Sequence, residues 1–267
     1  MIVDGKALAE EIKRDLKNSL TDKKLRLDVV WVGDDPVSAK YVERKKKVGE
    51  ELGVEVIVHN LMADIAQADL ETEIEKLNND GEVDGIIIQL PLPAQIETQK
   101  ILDLISPNKD IDALGKETRV LSPIVGAIKE IFEHNNVDLR NKKIIVVGNG
   151  KLVGRPISLW LTQEGHDVSV IDVETKNPDE ILKQADIIIS GVGKPGLITP
   201  DKIRDGVVLI DAGTADLPAG KAGSGGQLRG DADPACAEKC SLFTPVPGGV
   251  GPLTVVMLFK NLLELNK

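Results

Sequence analysis

The stretch Ile144-Ile-Val-Val-Gly-Asn-Gly-Lys-Leu-Val-Gly-Arg-Pro156 decides the fold of this chain. Its apolar run is typical of a buried strand, and the glycines at 148, 150 and 154 lead into a helical segment. Glycines at such a turn let backbone amides approach a pyrophosphate at the amino end of the helix. The spacing is one residue longer than the standard dinucleotide fingerprint, so a tight turn of an ordinary α/β domain is the alternative interpretation.

The same alternation of strands and helices extends in both directions from this stretch. Because strands that alternate with helices form parallel sheets, we expect two doubly wound parallel-sheet domains, the second a Rossmann-type dinucleotide-binding domain. A C-terminal helix from Pro252 to Leu265, with proline at its first position, is predicted to return to the first domain. The predicted domains comprise residues 1–120 plus 250–267, and residues 121–249. The predicted strands are 27–32, 54–58, 83–89, 143–147, 168–172, 187–190 and 207–211, and the predicted helices include 4–20, 36–52, 70–77 and 123–134.

Composition excludes several classes of protein. Hydrophobic residues make up 42% and charged residues 28%, a balance typical of folded globular chains. A net charge of -10 and only 2% aromatic residues argue against a nucleic-acid partner. We find no basic leader and no run of eighteen apolar residues, so we expect a cytoplasmic protein without a membrane span. Cys236 and Cys240 lack nearby histidine or further cysteine, so we assign no metal site.

Two further positions in the second half suit a dinucleotide. Asp172 ends the strand that follows the glycine-rich turn, where an acid can accept hydrogen bonds from an adenosine ribose. That placement favours NAD, although a solvated acid at a strand end is nearly as good an interpretation. The turn Gly191-Val-Gly-Lys-Pro-Gly196 again puts glycine, notably Gly193, where a cofactor could approach closely.

The helix over 36–52 carries the most informative charge of the first half. At about 100° per residue, Lys45 falls within the arc expected to face inward. The other members of that arc are Val37, Val48, Tyr41, Leu52, Gly49 and Val42. An inward lysine either extends its amine to the edge of the core or is held in a site, where burial lowers its pKa and makes it a usable base. We favour the site.

Two other segments have ligand-binding and structural interpretations that the residues alone leave open. Gln89 ends a buried strand before Leu-Pro-Leu-Pro, at the edge where ligands bind in open sheets, but a prolyl turn with an idle amide is a serious rival. Thr244-Pro-Val-Pro-Gly-Gly-Val-Gly-Pro252 is rigid and nearly bare of side chains, so a flat ring could lie against it, or it could simply specify a helix start. The glycines of 220–226 lack a phosphate-loop ending and predict a surface hairpin or another surface excursion of the chain.

Taken in order, these segments resemble the bifunctional methylenetetrahydrofolate dehydrogenase/methenyltetrahydrofolate cyclohydrolases over nearly the whole chain. The most specific part is Thr244-Pro-Val-Pro-Gly-Gly-Val-Gly-Pro252-Leu-Thr, together with the spaced Tyr41 and Lys45. The other matching segments are Gln89-Leu-Pro-Leu-Pro93, Lys109-Asp-Ile-Asp112, Val146 to Pro156, Gly193-Lys-Pro-Gly196, Gly230-Asp-Ala-Asp233 and the helix up to Asn261.

The resemblance implies a role for each matching position. Lys45 would be the catalytic lysine, Tyr41 its partner beside the pterin, Gln89 the group that positions lysine and folate, and Asp112 the group that holds the pterin's polar edge. The folate cleft would be shaped by the segment from Pro245 to Pro252, with Pro247, Gly248, Gly249 and Gly251 as substrate contacts. The cofactor would be contacted by Gly148, Asn149, Gly150, Gly154, Asp172, Val173, Gly193 and Thr214. Family members are usually dimers, so the resemblance also implies a homodimer.

The chain departs from the family pattern at positions that bear on the cofactor and on the folate side. The family commonly has Arg-Ser in place of Asn149-Gly150 and serine in place of Val173, and those groups help hold the extra phosphate of NADP. NADP is the family cofactor, whereas these replacements and Asp172 favour NAD; Lys151, Arg155 or Lys176 could supply substitute cations. Ala113-Leu-Gly-Lys and Ser122-Pro-Ile-Val-Gly126 replace the usual Gly-Phe-His-Pro and Cys-Thr-Pro-x-Gly.

We therefore expect an enzyme that oxidises 5,10-methylenetetrahydrofolate with NAD(P) and hydrolyses the methenyl product to 10-formyltetrahydrofolate. Three alternatives stay open from the sequence: a dehydrogenase without the hydrolase step, a folate- or nucleotide-binding paralogue without catalysis, and an unrelated dehydrogenase of shikimate type. None of the three histidines lies in a hydrolase motif, so a serine or zinc hydrolase has little support.

Overall fold

A computed structural model describes residues 1–20, 24–217 and 227–267, which form two compact units. The first unit comprises Glu10–Pro123 and Val255–Lys267, and the second comprises Met1–Ala9 and Ile124–Thr254. Each unit contains a parallel sheet with helices, so the predicted fold class is confirmed. The predicted domain bounds, which differ slightly from these units, stay a prediction. The hairpin predicted at 220–226 lies outside the described residues.

The first unit is built on a three-stranded parallel sheet in the order β2 (Glu55–Leu61), β1 (Arg26–Val32) and β3 (Gly85–Ile88). Its interior is mostly aliphatic, because Val30, Val32, Ile86 and Ile88 of the strands are buried against leucines and isoleucines of the helices, and Phe259 is a fully buried aromatic residue of this unit. The elements are α1 Gly5–Leu20, β1 Arg26–Val32, α2 Pro36–Leu52, β2 Glu55–Leu61, α3 Gln67–Asn79, β3 Gly85–Ile88, α4 Thr98–Leu104 and, at the C-terminus, α8 Val250–Leu265. The division between the units passes through α1 and α8.

The second unit holds a five-stranded parallel sheet with the order β10-β7-β6-β4-β5. A separate antiparallel pair joins β8 to β9. Strands β4 and β6 are buried along their whole length, as the uninterrupted isoleucine and valine runs predict. The elements are α5 Pro123–His134, β4 Ile144–Val147, α6 Gly154–Gln163, β5 Val168–Ile171, α7 Pro178–Leu182, β6 Ile187–Ser190, β7 Val208–Asp211, β8 Ala215–Leu217, β9 Gln227–Arg229 and β10 Leu242–Phe243.

The predicted bounds of α2 and α5 are confirmed, whereas those of the other predicted helices are shifted. Asp35 accepts a hydrogen bond from the backbone N–H of Ser38, and Gly53 adopts a left-handed conformation (φ 77°), so α2 begins and ends as predicted. By contrast, α8 begins at Val250, so Pro252 is its third residue and not its first. Proline fits there because the first turn of a helix has no internal acceptors for its N–H groups. The short helix α4 and the β8–β9 pair were not predicted.

The last turn of α3 is tied to the chain segment that precedes Asp112. The amine of Lys109 donates to the backbone carbonyls of Leu77, Asn78 and Asp80 at 3.0, 2.8 and 2.7 Å. Carbonyls at a helix C-terminus lack partners within the helix and carry partial negative charge, so a cation there satisfies both needs. Lys109 therefore fixes the start of the segment Lys109-Asp-Ile-Asp112.

We predict that Lys109→Met lowers the free energy of unfolding by about 2 kcal/mol, because hydrogen bonds from a charged donor are lost and the carbonyls are left without that partner. Urea denaturation followed by circular dichroism measures the change. The matched control is Lys100→Met, which removes an exposed pair with Glu97 and should leave stability nearly unchanged, because solvent screens such pairs. Equal effects in the two variants would contradict the anchoring role of Lys109.

Candidate active site

Helix α2 presents a lysine to the interior of the first unit. Its buried residues are Ser38, Val42, Lys45, Gly49 and Leu52, at the three- and four-residue spacing of one helix face. A Cβ atom on Gly49 would lie 2.3 Å from a methyl group of Val56 in β2, so glycine is what lets the helix approach the sheet so closely. The prediction that Lys45 faces inward is thus confirmed, and the residue is only 8% exposed.

The predicted inward arc was wrong at two positions. Val37 and Tyr41 are 43% and 38% exposed, because the buried face of α2 is centred on Val42, Lys45 and Gly49 and leaves both residues at its margin. The guanidinium carbon of Arg44 lies 5.9 Å from the centroid of the Tyr41 ring, within the range of a cation–π contact. Tyr41 precedes Lys45 by one helical turn, so its exposed ring borders the position where Lys45 enters the interior.

Gln89 follows the last residue of β3 and contacts the lysine directly. The Lys45 amine donates to Gln89 Oε1 at 2.7 Å, and Gln89 Nε2 donates to the carbonyl of Leu90 at 2.8 Å. Both ends of the amide are therefore engaged, and the acceptor end is the one that faces Lys45. The residue is 7% exposed, so the bond is shielded from bulk water. The idle-amide interpretation of Gln89 is wrong.

Burial and nearby charges shift the pKa values of this cluster. Desolvation lowers the pKa of Lys45, and the Asp112 carboxylate opposes that shift by favouring the charged amine. Desolvation raises the pKa of Asp112 to about 6, with Lys45 acting to lower it and Asp110 acting to raise it. The structure therefore brings Lys45, Gln89 and Asp112 into one electrostatically coupled group in the first unit.

The turn that carries Asp112 is organised by its neighbours. Asp110 is wholly buried and accepts from the backbone N–H of Gly115 at 2.8 Å, which folds the turn around its carboxylate. Ala113 adopts a left-handed backbone (φ 52°), which explains why glycine suits this position in the family pattern. Asn261 of α8 donates to the carbonyls of Ile111 and Leu121, both at 2.8 Å, and so closes the base of the loop.

The glycine-rich turn of the second unit has the predicted strand-turn-helix form, from β4 to α6. Gly148 has a left-handed backbone (φ 93°), and a Cβ on Gly154 would lie 1.9 Å from the Gly148 carbonyl oxygen. Both positions thus require glycine. A Cβ on Gly150 would meet no atom within 4 Å, and no side chain caps the start of α6. The space beside this helix start is therefore free for a ligand phosphate.

The remaining predicted cofactor positions lie on nearby loops of the same unit. Asn149 and Thr214 are exposed, and Val173 is completely exposed directly after Asp172. One oxygen of Asp172 already accepts from the backbone N–H of Glu174 and the hydroxyl of Thr175, both at 3.0 Å. A Cβ on Gly193 would lie 3.1 Å from the Thr214 carbonyl oxygen, which places these two loops side by side.

The proline- and glycine-rich segment divides into buried and accessible positions. Gly249 is buried, and a Cβ there would lie 2.7 Å from Pro245 and Thr244, so protein packing alone accounts for this glycine. Pro247 and Gly251 are exposed, and Gly248 is half-buried. Pro247, Gly248 and Gly251 are thus the positions of this segment that a ligand could reach. The segment belongs to the second unit, whereas Lys45, Gln89 and Asp112 belong to the first.

Sequence reasoning gave no role to two buried carboxylates of the second unit, those of Asp211 and Asp231. Desolvation raises the pKa of Asp211 to about 6, and its backbone N–H donors oppose the shift. One signal in the sequence could have found Asp231. In the segment Gly230-Asp-Ala-Asp233 this acid stands between two of the smallest residues, which indicates close packing that a solvated acid would not require.

The comparisons with known proteins agree with this geometry. Residues 3–112 match the catalytic-domain model of tetrahydrofolate dehydrogenase/cyclohydrolase, and residues 123–267 match the model of its NAD(P)-binding domain. The chain belongs to the tetrahydrofolate dehydrogenase/cyclohydrolase family. This membership confirms the resemblance and favours the folate interpretation over a dehydrogenase of shikimate type.

Relatives of this dehydrogenase/cyclohydrolase align over its full length. The bifunctional protein FolD of Nautilia profundicola is 39% identical, and the alignment covers 100% of this chain and 97% of that protein. The structure of the bifunctional FolD enzyme of Campylobacter jejuni has a TM-score of 0.93 at 35% identity, covering 99% of this chain and 98% of the other. The Trypanosoma brucei FolD structure, complexed with NADP and an inhibitor, has a TM-score of 0.93 at 30% identity, covering 99% and 96%.

The described part of this family member also bears on metals and membranes. No three histidine, cysteine or acidic side chains within 1–20, 24–217 and 227–267 are grouped as a metal site would need. Cys236 and Cys240 are buried free thiols, and desolvation raises the pKa of Cys236 to about 12 and that of Cys240 to about 11. No helix among the same residues has the length and apolar character needed to span a bilayer.

We predict that Lys45→Met raises the free energy of unfolding at pH 7, and that the gain shrinks as the pH approaches 10.5. Because the pKa of Lys45 is lower in the folded protein than the ordinary 10.5, the unfolded state binds more protons between those two pKa values. Stability of the unsubstituted chain therefore rises with pH in that window, and a methionine removes the slope. Urea denaturation at pH 7 and at pH 10 measures both effects.

The matched control is Lys40→Met, which changes an exposed lysine of the same helix. It should leave the pH slope unchanged. If the free energy of unfolding of the Lys45→Met variant rose with pH as steeply as that of the unsubstituted chain, the Lys45 pKa would not be lowered in solution.

Proposed function

We propose that this chain oxidises 5,10-methylenetetrahydrofolate to the 5,10-methenyl form with a nicotinamide dinucleotide and then hydrolyses that product to 10-formyltetrahydrofolate. The observation that carries the proposal is the buried Lys45 amine, which is hydrogen-bonded to Gln89. The chain that holds it matches the dehydrogenase/cyclohydrolase family in both of its domains. Hydrolysis uses a base, and burial lowers the pKa of Lys45, which increases the neutral fraction of the amine that can act as one.

The second unit is proposed to hold the dinucleotide. The glycines at 148 and 154 let the turn before α6 close tightly, and the open space at Gly150 suits a pyrophosphate against the helix start. Asn149, Asp172, Val173, Gly193 and Thr214 would line the remainder of that site. When bound, the nicotinamide ring supplies the hydride acceptor for the oxidation step. The protein needs no nucleophile for this step, since its contribution is to hold two flat reactants in register.

The first unit is proposed to hold the pterin. Asp112 would accept from the donor groups on the polar edge of the ring, and Tyr41, already exposed beside Lys45, would offer its ring as a stacking surface. Gln89 keeps the lysine amine in one position, because its own amide is fixed by the Leu90 carbonyl. Pro247, Gly248 and Gly251, the accessible positions of the segment in the second unit, are proposed as substrate contacts, as the family resemblance implies.

In the hydrolytic step the neutral Lys45 amine accepts a proton from water as the water oxygen attacks the methenyl carbon. The resulting ammonium then donates a proton to one of the two ring nitrogens as that carbon–nitrogen bond breaks. The hydroxyl proton leaves as the formyl carbonyl forms, so the reaction consumes one water and releases one proton. The Asp112 carboxylate stabilises the transient ammonium, consistent with its effect on the Lys45 pKa.

A dehydrogenase without hydrolysis, or a paralogue without catalysis, would have no use for a buried amine held by a fixed acceptor. Burying a cationic group is costly unless its charge is compensated. The Lys45–Gln89 pair therefore favours the bifunctional enzyme over both alternatives.

We further propose that the enzyme is a cytoplasmic homodimer. The proposed domain bounds are 121–249 for the cofactor domain and 1–120 plus 250–267 for the folate domain. The net charge of -10 supports the absence of a nucleic-acid partner.

We predict that Lys45→Met lowers the rate of methenyltetrahydrofolate hydrolysis by at least about 100-fold, because general base catalysis contributes on that order. Loss of methenyl absorbance measures the reaction directly, without any dinucleotide. Gln89→Glu should lower the rate at pH 7 by about tenfold and restore it at higher pH, because a carboxylate beside Lys45 raises the pKa of its amine. Gln89→Met is the control that removes the acceptor without adding charge.

Retained NADP binding by calorimetry would show that each of these variants is folded. Full hydrolysis by folded Lys45→Met would remove Lys45 from the mechanism. If the pH profiles of Gln89→Glu and Gln89→Met superimposed, a carboxylate at position 89 would not be raising the pKa of Lys45.

Cofactor preference follows from the groups around Asp172. We predict that the double variant Asn149→Arg with Val173→Ser raises the ratio of kcat/KM for NADP over that for NAD at least about tenfold, since a charge-assisted hydrogen bond to the extra phosphate is gained. Both positions are exposed, so the new side chains displace nothing. Steady-state dehydrogenase assays with each cofactor give the ratio.

The control for the serine change is Val170→Ser, at a partly exposed position within β5. It should leave the ratio unchanged. An unchanged ratio in the double variant would show that the phosphate is held elsewhere, for instance by Lys151, Arg155 or Lys176.

A further inference from the structure

Asp231 is a fully buried carboxylate that the proposed reaction does not use. One oxygen accepts from the Ser190 hydroxyl at 2.6 Å and from the backbone N–H of Val192 at 2.7 Å, and the other accepts from the backbone N–H of Lys194 at 2.6 Å. Ser190 is the last residue of β6, and the turn Gly191–Gly196 follows it. The carboxylate therefore bonds the turn on both sides of Gly193.

The turn needs such a support because its own backbone makes an irregular path. Gly193 has a left-handed backbone (φ 78°), and it lies against the Thr214 carbonyl. The amides of Val192 and Lys194 both donate to one carboxylate, which fixes the backbone on either side of the half-buried Gly193. The conformation of the turn is therefore set by Asp231.

A second carboxylate fixes the position of Asp231 itself. Asp211, the last residue of β7, accepts from the backbone N–H groups of Asp231 at 3.1 Å and Ala232 at 2.8 Å. A Cβ on Gly230 would lie 2.1 Å from an Asp211 oxygen, and a Cβ on Gly213 would lie 2.3 Å from the Asp231 carboxyl group. Both glycines are thus required for the two carboxylates to sit within the loops. Strand β7 holds Asp231, and Asp231 holds the Gly191–Gly196 turn.

We propose that Asp231 is a positioning residue for the nicotinamide dinucleotide, which acts by fixing the Gly191–Gly196 turn and, through Gly193, its contact with Thr214. This inference rests on the proposed function, in which Gly193 and Thr214 contact the cofactor. An isolated buried carboxylate would be costly, and three strong donors converge on this one, two of them from a loop that would otherwise be solvated. Asp231 makes no direct contact with the reacting atoms in this scheme.

The test is Asp231→Asn, an isosteric change that places an NH₂ group where an oxygen faced N–H or O–H donors. We expect the Kd and the KM for NADP to rise at least about tenfold, with a smaller change in kcat, because the turn loses fixed geometry rather than chemistry. Hydrolysis of methenyltetrahydrofolate in the absence of dinucleotide should stay within about twofold of the unsubstituted rate. Hydrogen exchange should show faster amide exchange at Val192 and Lys194 and unchanged protection in β4.

Two further variants separate positioning from general stability. Asp233→Asn changes the other acid of the same segment, which caps a 3₁₀ turn by accepting from Ala235 at 2.9 Å, and should leave the KM for NADP unchanged. Ser190→Ala removes one donor and keeps the carboxylate, so it should raise the KM for NADP by a few fold with hydrolysis intact.

Unchanged NADP binding in folded Asp231→Asn would overturn the proposal. So would a parallel loss of binding and hydrolysis in both Asp231→Asn and Ser190→Ala, since that result marks a purely structural group. If the unsubstituted chain neither binds NADP nor hydrolyses the methenyl substrate, the proposed function fails, and that failure is visible before any variant is made.

Discussion

The proposed chemistry of this chain depends on a single amine kept out of water. Lys45 lies on the buried face of α2, and burial destabilises its charged form, whereas Gln89 and Asp112 stabilise it. Desolvation is the larger effect, so the pKa of the amine is lowered although Gln89 and Asp112 remain beside it. A lysine at the same position with a solvated amine would be permanently charged at neutral pH and useless as a base. The glycine at 49, the fixed amide of Gln89 and the turn around Asp110 all contribute to keeping the amine in that state.

The sequence predicts the fold well because its strongest signals are local. The β-branched runs of β4 and β6, the capping Asp35 and the helix-ending Gly53 each act within a few residues, so the parallel sheets and α2 follow from pattern alone. The exposure of Val37 and Tyr41 was missed for a different reason. A helical wheel gives the direction of each side chain, whereas burial also depends on how the helix is set against the sheet, which Gly49 and Val56 decide together.

The candidate site was predictable only where one residue carries the signal. Lys45 stands out as a charge on an apolar face, and Gln89 as a polar end to a buried strand. Asn261 carries no such mark, and Asp231 is marked only by its small neighbours. The importance of both comes from partners far along the chain: Ile111 and Leu121 for the amide, and Ser190, Val192 and Lys194 for the carboxylate. Residues that shape a site by holding the backbone of other loops are visible only once the loops are brought together.

The buried acids of the two units illustrate how one residue type serves two purposes. Asp110 accepts from the backbone N–H of Gly115, and Asp231 accepts from the N–H groups of Val192 and Lys194 and the Ser190 hydroxyl, so both carboxylates serve to fix loops. Asp112 has a partly exposed surface and a cation as its principal partner, so it keeps the capacity to accept from a ligand. The distinction lies in what satisfies each carboxylate rather than in how deeply it is buried. A buried acid with a full set of backbone donors has a structural role, and one balanced mainly by a side-chain charge remains available for chemistry.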